Sequence, residues 1–80
     1  MSVNISQIEF AEAKGAARAA MQIIEGIEID DDIMGDEDDR RELIFLVTGE
    51  KLEPDTDDGD LLVSAYEGGY YDTWWENENN

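Results

Sequence analysis

Carboxylates are the only side chains abundant enough in this chain to suggest chemistry: 22 Asp and Glu stand against 5 Lys and Arg, with no histidine and no cysteine. A pair of carboxylates performs acid and base catalysis when an apolar setting raises the pKa of one of them. Here no pair is set apart. Glu28, Asp30, Asp31, Asp32, Asp36, Glu37, Asp38 and Asp39 form one dense run, and Glu53, Asp55, Asp57, Asp58 and Asp60 form another. Such runs read as solvated acidic faces, so an enzyme is not expected. Lys14 and Lys51 are the only lysines, which gives a lysine nucleophile little support. The missing residue types exclude histidine-based triads, thiolate or imidazole zinc sites and disulfides.

Calcium is the next chemistry that oxygen ligands permit. An EF-hand loop needs acidic or amide ligands at positions one, three and five, glycine at six and a bidentate glutamate at twelve. Gly59 at the sixth position puts Pro54 and Thr56 at the first and third and Ala65 at the twelfth. Gly35 there gives Asp30 and Asp32 at the first and third, but Met34 at the fifth and Arg41 at the twelfth. Neither register holds, and no cofactor or dedicated metal site is expected.

The charge is partitioned. Residues 1–24 hold Glu9 and Glu12 against Lys14 and Arg18, a net of zero, so residues 25–80 carry the whole formal charge of -17. Solubility of a small domain needs a net charge of only about 2 to 8, and a larger single-sign charge repels itself. The excess therefore asks for a purpose. Duplex DNA presents one negative charge per roughly 1.7 Å of axis, and carboxylates at i and i+2 on a strand lie about 6.6 to 6.8 Å apart on one face, a spacing similar to that of successive phosphates. A halophile's acids would cover the whole surface, whereas the first 24 residues here are neutral.

The elements that must present these carboxylates are few. Eighty residues make one domain, near the lower size limit for a core without metals or disulfides. Hydrophobic residues at 41%, with two tryptophans and three tyrosines, favour a folded chain over a disordered one. No basic stretch followed by an apolar one opens the chain, and nowhere do eighteen apolar residues run together. A soluble cytoplasmic protein that engages no membrane is expected.

An α+β fold is expected, with one N-terminal helix packed on a small antiparallel sheet. Ser6 and Glu9 form a capping box, and Ile5 and Phe10 a hydrophobic staple, for a helix over Gln7 to Glu25 that Gly26 ends. Ile27 and Ile29 alternate with acids as in a short edge strand. The apolar run within 42–48 reads as a strand buried on both faces, with a buried helix behind the Asp36 to Asp39 cap region as the competitor. Gly68 and Gly69 signal a two-residue hairpin between strands 61–67 and 70–76, pairing Tyr66 with Tyr71 and Val63 with Trp74. The competing helix places Leu62, Tyr66, Tyr70 and Trp74 at steps of four, at about 2 kcal/mol for two interior glycines. The single domain covers 1–76, and 77–80 is expected as a disordered tail.

The combination of about this length, an alanine-rich neutral helix, a very acidic remainder, interspersed aromatics and neither cysteine nor histidine resembles the small phage-encoded DNA-mimic inhibitors, the anti-CRISPR and anti-restriction proteins. The likeness covers the whole chain and rests on composition and layout, with no motif specific to one family. It implies no fold, because these inhibitors have unrelated folds. It implies a mechanism, in which an acidic face occupies the basic site where a host defence nuclease complex holds DNA, with the PAM-recognising subunit of a type I CRISPR effector as the first choice of target and a restriction enzyme as the second.

The expected partner is thus a basic nucleic-acid-binding protein or nuclease complex, with no direct binding of nucleic acid, engaged by a monomer, with a dimer as the alternative. Asp30, Asp31, Asp32, Asp36, Glu37, Asp38 and Asp39 are the first partner-binding candidates, and Asp55, Asp57, Asp58 and Asp60 the second. Tyr71 and Trp75 are candidate aromatic contacts, since aromatics supply hot spots where charge supplies steering. The alternative is an acidic masking or antitoxin-like protein that shields a basic partner without imitating nucleic acid.

Overall fold

A computed structural model describes residues 3–79. It holds three helices, α1 (Ile5–Glu25), α2 (Glu37–Thr48) and α3 (Asp57–Glu78), and no strand among the described residues. The α+β expectation is therefore overturned: the three predicted strands at 42–48, 61–67 and 70–76 are all helical, and 27–30 is irregular coil rather than an edge strand.

The first helix starts two residues earlier than Ser6 implies. Asn4 is the N-cap, its side chain accepting from the Gln7 amide at 2.9 Å while the Gln7 side chain accepts from the Asn4 amide at 3.0 Å. That box moves the staple positions to Val3 and Ile8, both packed on the cluster of Ala11, Ile44 and Leu62. Ile5 and Phe10 stay exposed. Asn and Ser cap about equally well, so the apolar pair that finds a core decides between the two starts. Gly26 ends α1 in the left-handed conformation, as expected, and Gly49 does the same for α2.

Helix α2 forms because its ends are specified on both sides. Asp36 caps it by accepting from the Asp38 amide at 3.0 Å, and Glu37, Asp38 and Asp39 fill the first turn, where the helix dipole favours anions. Within the apolar run, Leu43 and Ile44 are buried and Val47 half-buried, whereas Phe45 and Leu46 face out. That is a helical period, not the two-sided burial of a central strand.

Helix α3 overrides the Gly-Gly turn signal. Thr56 caps it at the Gly59 amide, 3.1 Å away, and Leu62, Tyr66 and Tyr70 are buried with Trp74 half-buried beside them. These four, one helical turn apart, form the inner face. Gly69 is used rather than merely tolerated: a Cβ there would collide with the Glu12 carbonyl oxygen, and one at Gly15 would collide with the Tyr66 carbonyl oxygen. The backbones of α1 and α3 touch at this crossing, and two side chains of hydrogen make the approach possible. Any hairpin pairing Tyr66 with Tyr71 would forfeit this contact.

Ala11 shares a cluster with Leu62, Arg18 bonds Tyr66 and Gln22 bonds Tyr70. The order rises along both helices, so α1 and α3 run the same way, with α2 returning between them. The body is elongated, 40 × 24 × 17 Å. Helix α3 continues to Glu78, with Asn79 closing it by donating its amide to the Trp75 carbonyl. Of the tail over 77–80, Asn80 lies outside the described residues. No described helix is long and apolar enough to cross a membrane.

Candidate functional site

The first acidic run spans the link between α1 and α2 and the first turn of α2, and the link is held by two tyrosines of α3. The Tyr70 hydroxyl, fully buried, donates to the Gln22 side-chain oxygen and accepts the Asp30 amide at 2.9 Å. One residue on, the Tyr71 hydroxyl donates to the Asp30 carbonyl at 3.0 Å. The two rings meet edge to face with centroids 5.1 Å apart. One turn back, Tyr66 accepts from the Arg18 guanidinium at 3.3 Å. Ile33 and Met34, buried in the same cluster as Tyr66 and Tyr70, fasten the other side of the link. A segment that composition marks as loop is thus fixed at both its backbone and its apolar side chains.

Within it, the acids divide by role. Asp30 accepts the Asp32 amide at 2.9 Å and starts a turn, closed by the Gly35 amide donating to the Asp32 carbonyl at 3.1 Å. Asp36 is spent on capping α2. Asp31 and Asp32 are exposed with no basic partner among the described residues, the Asp32 carboxylate lying back over Gly35. Asp39 sits near Arg18 and adds to the forces that raise its pKa, the first of which is the hydrogen bond to Tyr66, with partial burial opposing. The carboxylates lie on a turn and a helix start, so the strand spacing considered for successive phosphates does not apply to them.

Arg41 brings the two acidic runs together. Its guanidinium bonds Glu37 at 3.0 Å one turn earlier in α2, approaches Asp38 at 3.8 Å and reaches Glu53 at 3.3 Å on the segment that leads into α3. The hydrogen bond to Glu53 and then the charge of Glu37 hold it firmly protonated. Asp55 follows on the exposed approach to α3, while Asp57, Asp58 and Asp60 occupy the first turn of α3 at the positive end of its dipole. Every candidate acid is exposed except the half-buried Asp58.

The two aromatic candidates separate. Tyr71 is half-buried and its hydroxyl is committed to the link, with burial pushing its pKa upward against the opposing pull of the Ile33 backbone. Trp75, one turn on, is 65% exposed and free to touch a partner. Sequence reasoning did not single out Gln22, Tyr70 or Arg41 for roles in the site. Glu37 and Arg41 were readable as an i, i+4 pair, but the reach to Glu53 and the tyrosine clamp depend on how the helices pack. Among the described residues no group of acids is arranged to hold a metal ion. No family model, curated protein or solved structure matches this chain.

Proposed function

We propose that the chain is an inhibitor that mimics the charge of DNA and blocks the DNA-binding site of a host defence nuclease complex, with a CRISPR effector as the first target class. The observation that carries this reading is how little of the acidity the fold consumes. Among the described residues no charged residue is buried, and Arg41 alone forms ion pairs, with Glu37, Asp38 and Glu53. Among the described residues the remaining carboxylates form no ion pair. Over the 40 Å length of the body, a duplex at one charge per 1.7 Å carries about 24 phosphate charges. The chain carries 22 acids.

Helix capping accounts for a share of these, since acids in the first turns of α2 and α3 each contribute about 0.3 to 1 kcal/mol at an exposed helix end. It does not account for Asp31, Asp32 or Asp55, which lie outside any helix. These, with Asp39 and the exposed Trp75, are the residues offered to a basic groove.

The test is a pull-down with the tagged chain from lysates containing CRISPR effectors or restriction enzymes, with excess duplex DNA in a parallel lane. Mimicry predicts a nuclease complex retained without DNA and displaced with it. A basic protein retained regardless of DNA would replace this reading with that of a masking protein.

A further inference from the structure

One face of α1 is left over from the packing. Ala11, Gly15 and Ala19 are buried, and on the opposite side Phe10, Ala13, Ala17, Ala20 and Ile24 recur at alternating steps of three and four, all of them exposed. That spacing is the seam by which one helix packs along another. An apolar stripe that the fold of the chain leaves uncovered is available to pack against a further helix. The exposure is substantial: 46% at Phe10, 60% at Met21 and 83% at Ile24. The face opens into a groove between α1 and α2, with Leu46 of α2 as its apolar far wall.

Charge decides what covers it. Residues 1–24 are neutral while the remainder carries -17, so α1 offers the face on which two copies meet without bringing blocks of carboxylates together. The groove also carries both signs, with Lys14 and Arg18 on the α1 wall and Asp39 and Glu42 on the α2 wall. Among the described residues Lys14 has no carboxylate partner and lies over the Phe10 ring, 5.5 Å from its centroid. Glu42 likewise has no base. A surface with unpaired charges of both signs around an apolar stripe is self-complementary under a two-fold axis, where each contact is made twice. The cations of a basic nucleic-acid-binding protein would instead meet Lys14 and Arg18.

We infer that the outer face of α1 and the adjoining α1–α2 groove dock a second copy of this chain, with Lys14 of each copy against Glu42 of the other. The dimer shares only Asp39 with the acids of the mimicry reading, and it leaves the acidic link and the start of α3 uncovered.

Sedimentation equilibrium of the full chain at 0.1 M and 1 M salt tests this. The expected mass is twice the 9.0 kDa of the chain. Association strengthens with salt, because the Debye length falls from about 10 Å to about 3 Å and screens the repulsion between two acidic bodies. Binding through the acidic surface weakens with salt, so the two kinds of contact move in opposite directions. Ala17→Glu, at an exposed position, weakens association at least 100-fold with an unchanged far-UV spectrum, and Phe10→Gln serves as the second variant. Lys14→Glu weakens the dimer by placing two carboxylates together at each contact, and adding Glu42→Lys restores it. A wild-type chain that stays monomeric to millimolar concentration at both salts overturns the inference, as does a dimer indifferent to both Ala17→Glu and Phe10→Gln. Failure of the double charge exchange to restore association overturns the pairing.

Discussion

The buried hydroxyl of Tyr70 accepts the backbone amide of Asp30 at 2.9 Å, across forty positions of chain. The same oxygen donates to Gln22, so one phenol joins the end of α1, the acidic link and α3. Tyr70→Phe keeps the ring in the core but leaves the Asp30 amide and the Gln22 oxygen without their partner. Both groups are only partly buried, so each lost hydrogen bond costs about 0.5 to 1.5 kcal/mol. The expected outcome is a loss of that size in urea unfolding, with faster hydrogen exchange at Asp30 and unchanged exchange in the middle of α2.

The glycines of α1 and α3 separate by position. Gly68 has nothing within 4 Å of a Cβ built on it, so Gly68→Ala is expected to stabilise by up to about 1 kcal/mol through helix propensity. Gly15→Ala and Gly69→Ala drive a methyl into the backbone of the facing helix and are expected to cost about 1 to 3 kcal/mol as overpacked sites. Denaturant titration of the three variants checks the contrast, and stabilisation by Gly69→Ala would refute the close crossing.

Tyr71 makes the fold sensitive to alkali. Burial raises its pKa above the ordinary 10.0, so the folded chain holds the phenolic proton more tightly than the unfolded one. The associated stability is fully present below pH 10 and is lost as pH rises through the folded-state pKa. Thermal unfolding followed from pH 8 to pH 11.5 is expected to show a steeper alkaline decline in the wild type than in Tyr71→Phe. Parallel declines would place the titrating group elsewhere.

Partner binding should depend on the acids that the fold does not use. Asp31→Lys with Asp32→Lys is expected to weaken target binding by at least 100-fold while the far-UV spectrum stays unchanged. Asp36→Ala, by contrast, removes a cap and is expected to cost about 1 kcal/mol of stability. Trp75→Ala tests the exposed aromatic, with a loss of more than about 1 kcal/mol of binding expected of a hot spot. Calorimetric titration against the captured target measures all three.

Arg41 is expected to matter more for arrangement than for stability. Its ion pairs with Glu37, Asp38 and Glu53 are solvent-exposed, and such pairs contribute little to folding. Arg41→Gln should leave the unfolding midpoint nearly unchanged and increase hydrogen exchange over residues 50–56. Unchanged exchange there would show that the segment is held without Arg41, by the Thr56 hydroxyl and amide donating to the Glu53 carbonyl.

The chain by itself determined the neutral alanine-rich helix with its Gly26 stop and the division between a neutral first quarter and an acidic remainder, because caps and charges are local properties. It left two elements open, and in both the competing helix was the one that formed. The run Leu43 to Val47 satisfies a short strand and a helix equally until the outward turn of Phe45 and Leu46 is seen. Gly68 and Gly69 read locally as a turn, and only the contact between Gly69 and the Glu12 backbone, from the far side of the sequence, makes glycine the right residue inside a helix. Tertiary structure likewise decided that Tyr71 serves the fold while Trp75 faces outward, and that Arg41 joins the two acidic runs through Glu53, twelve residues on. Each of these rests on the approach of helices distant in sequence, which sets the free energy of the whole fold and leaves no local mark at the residues concerned.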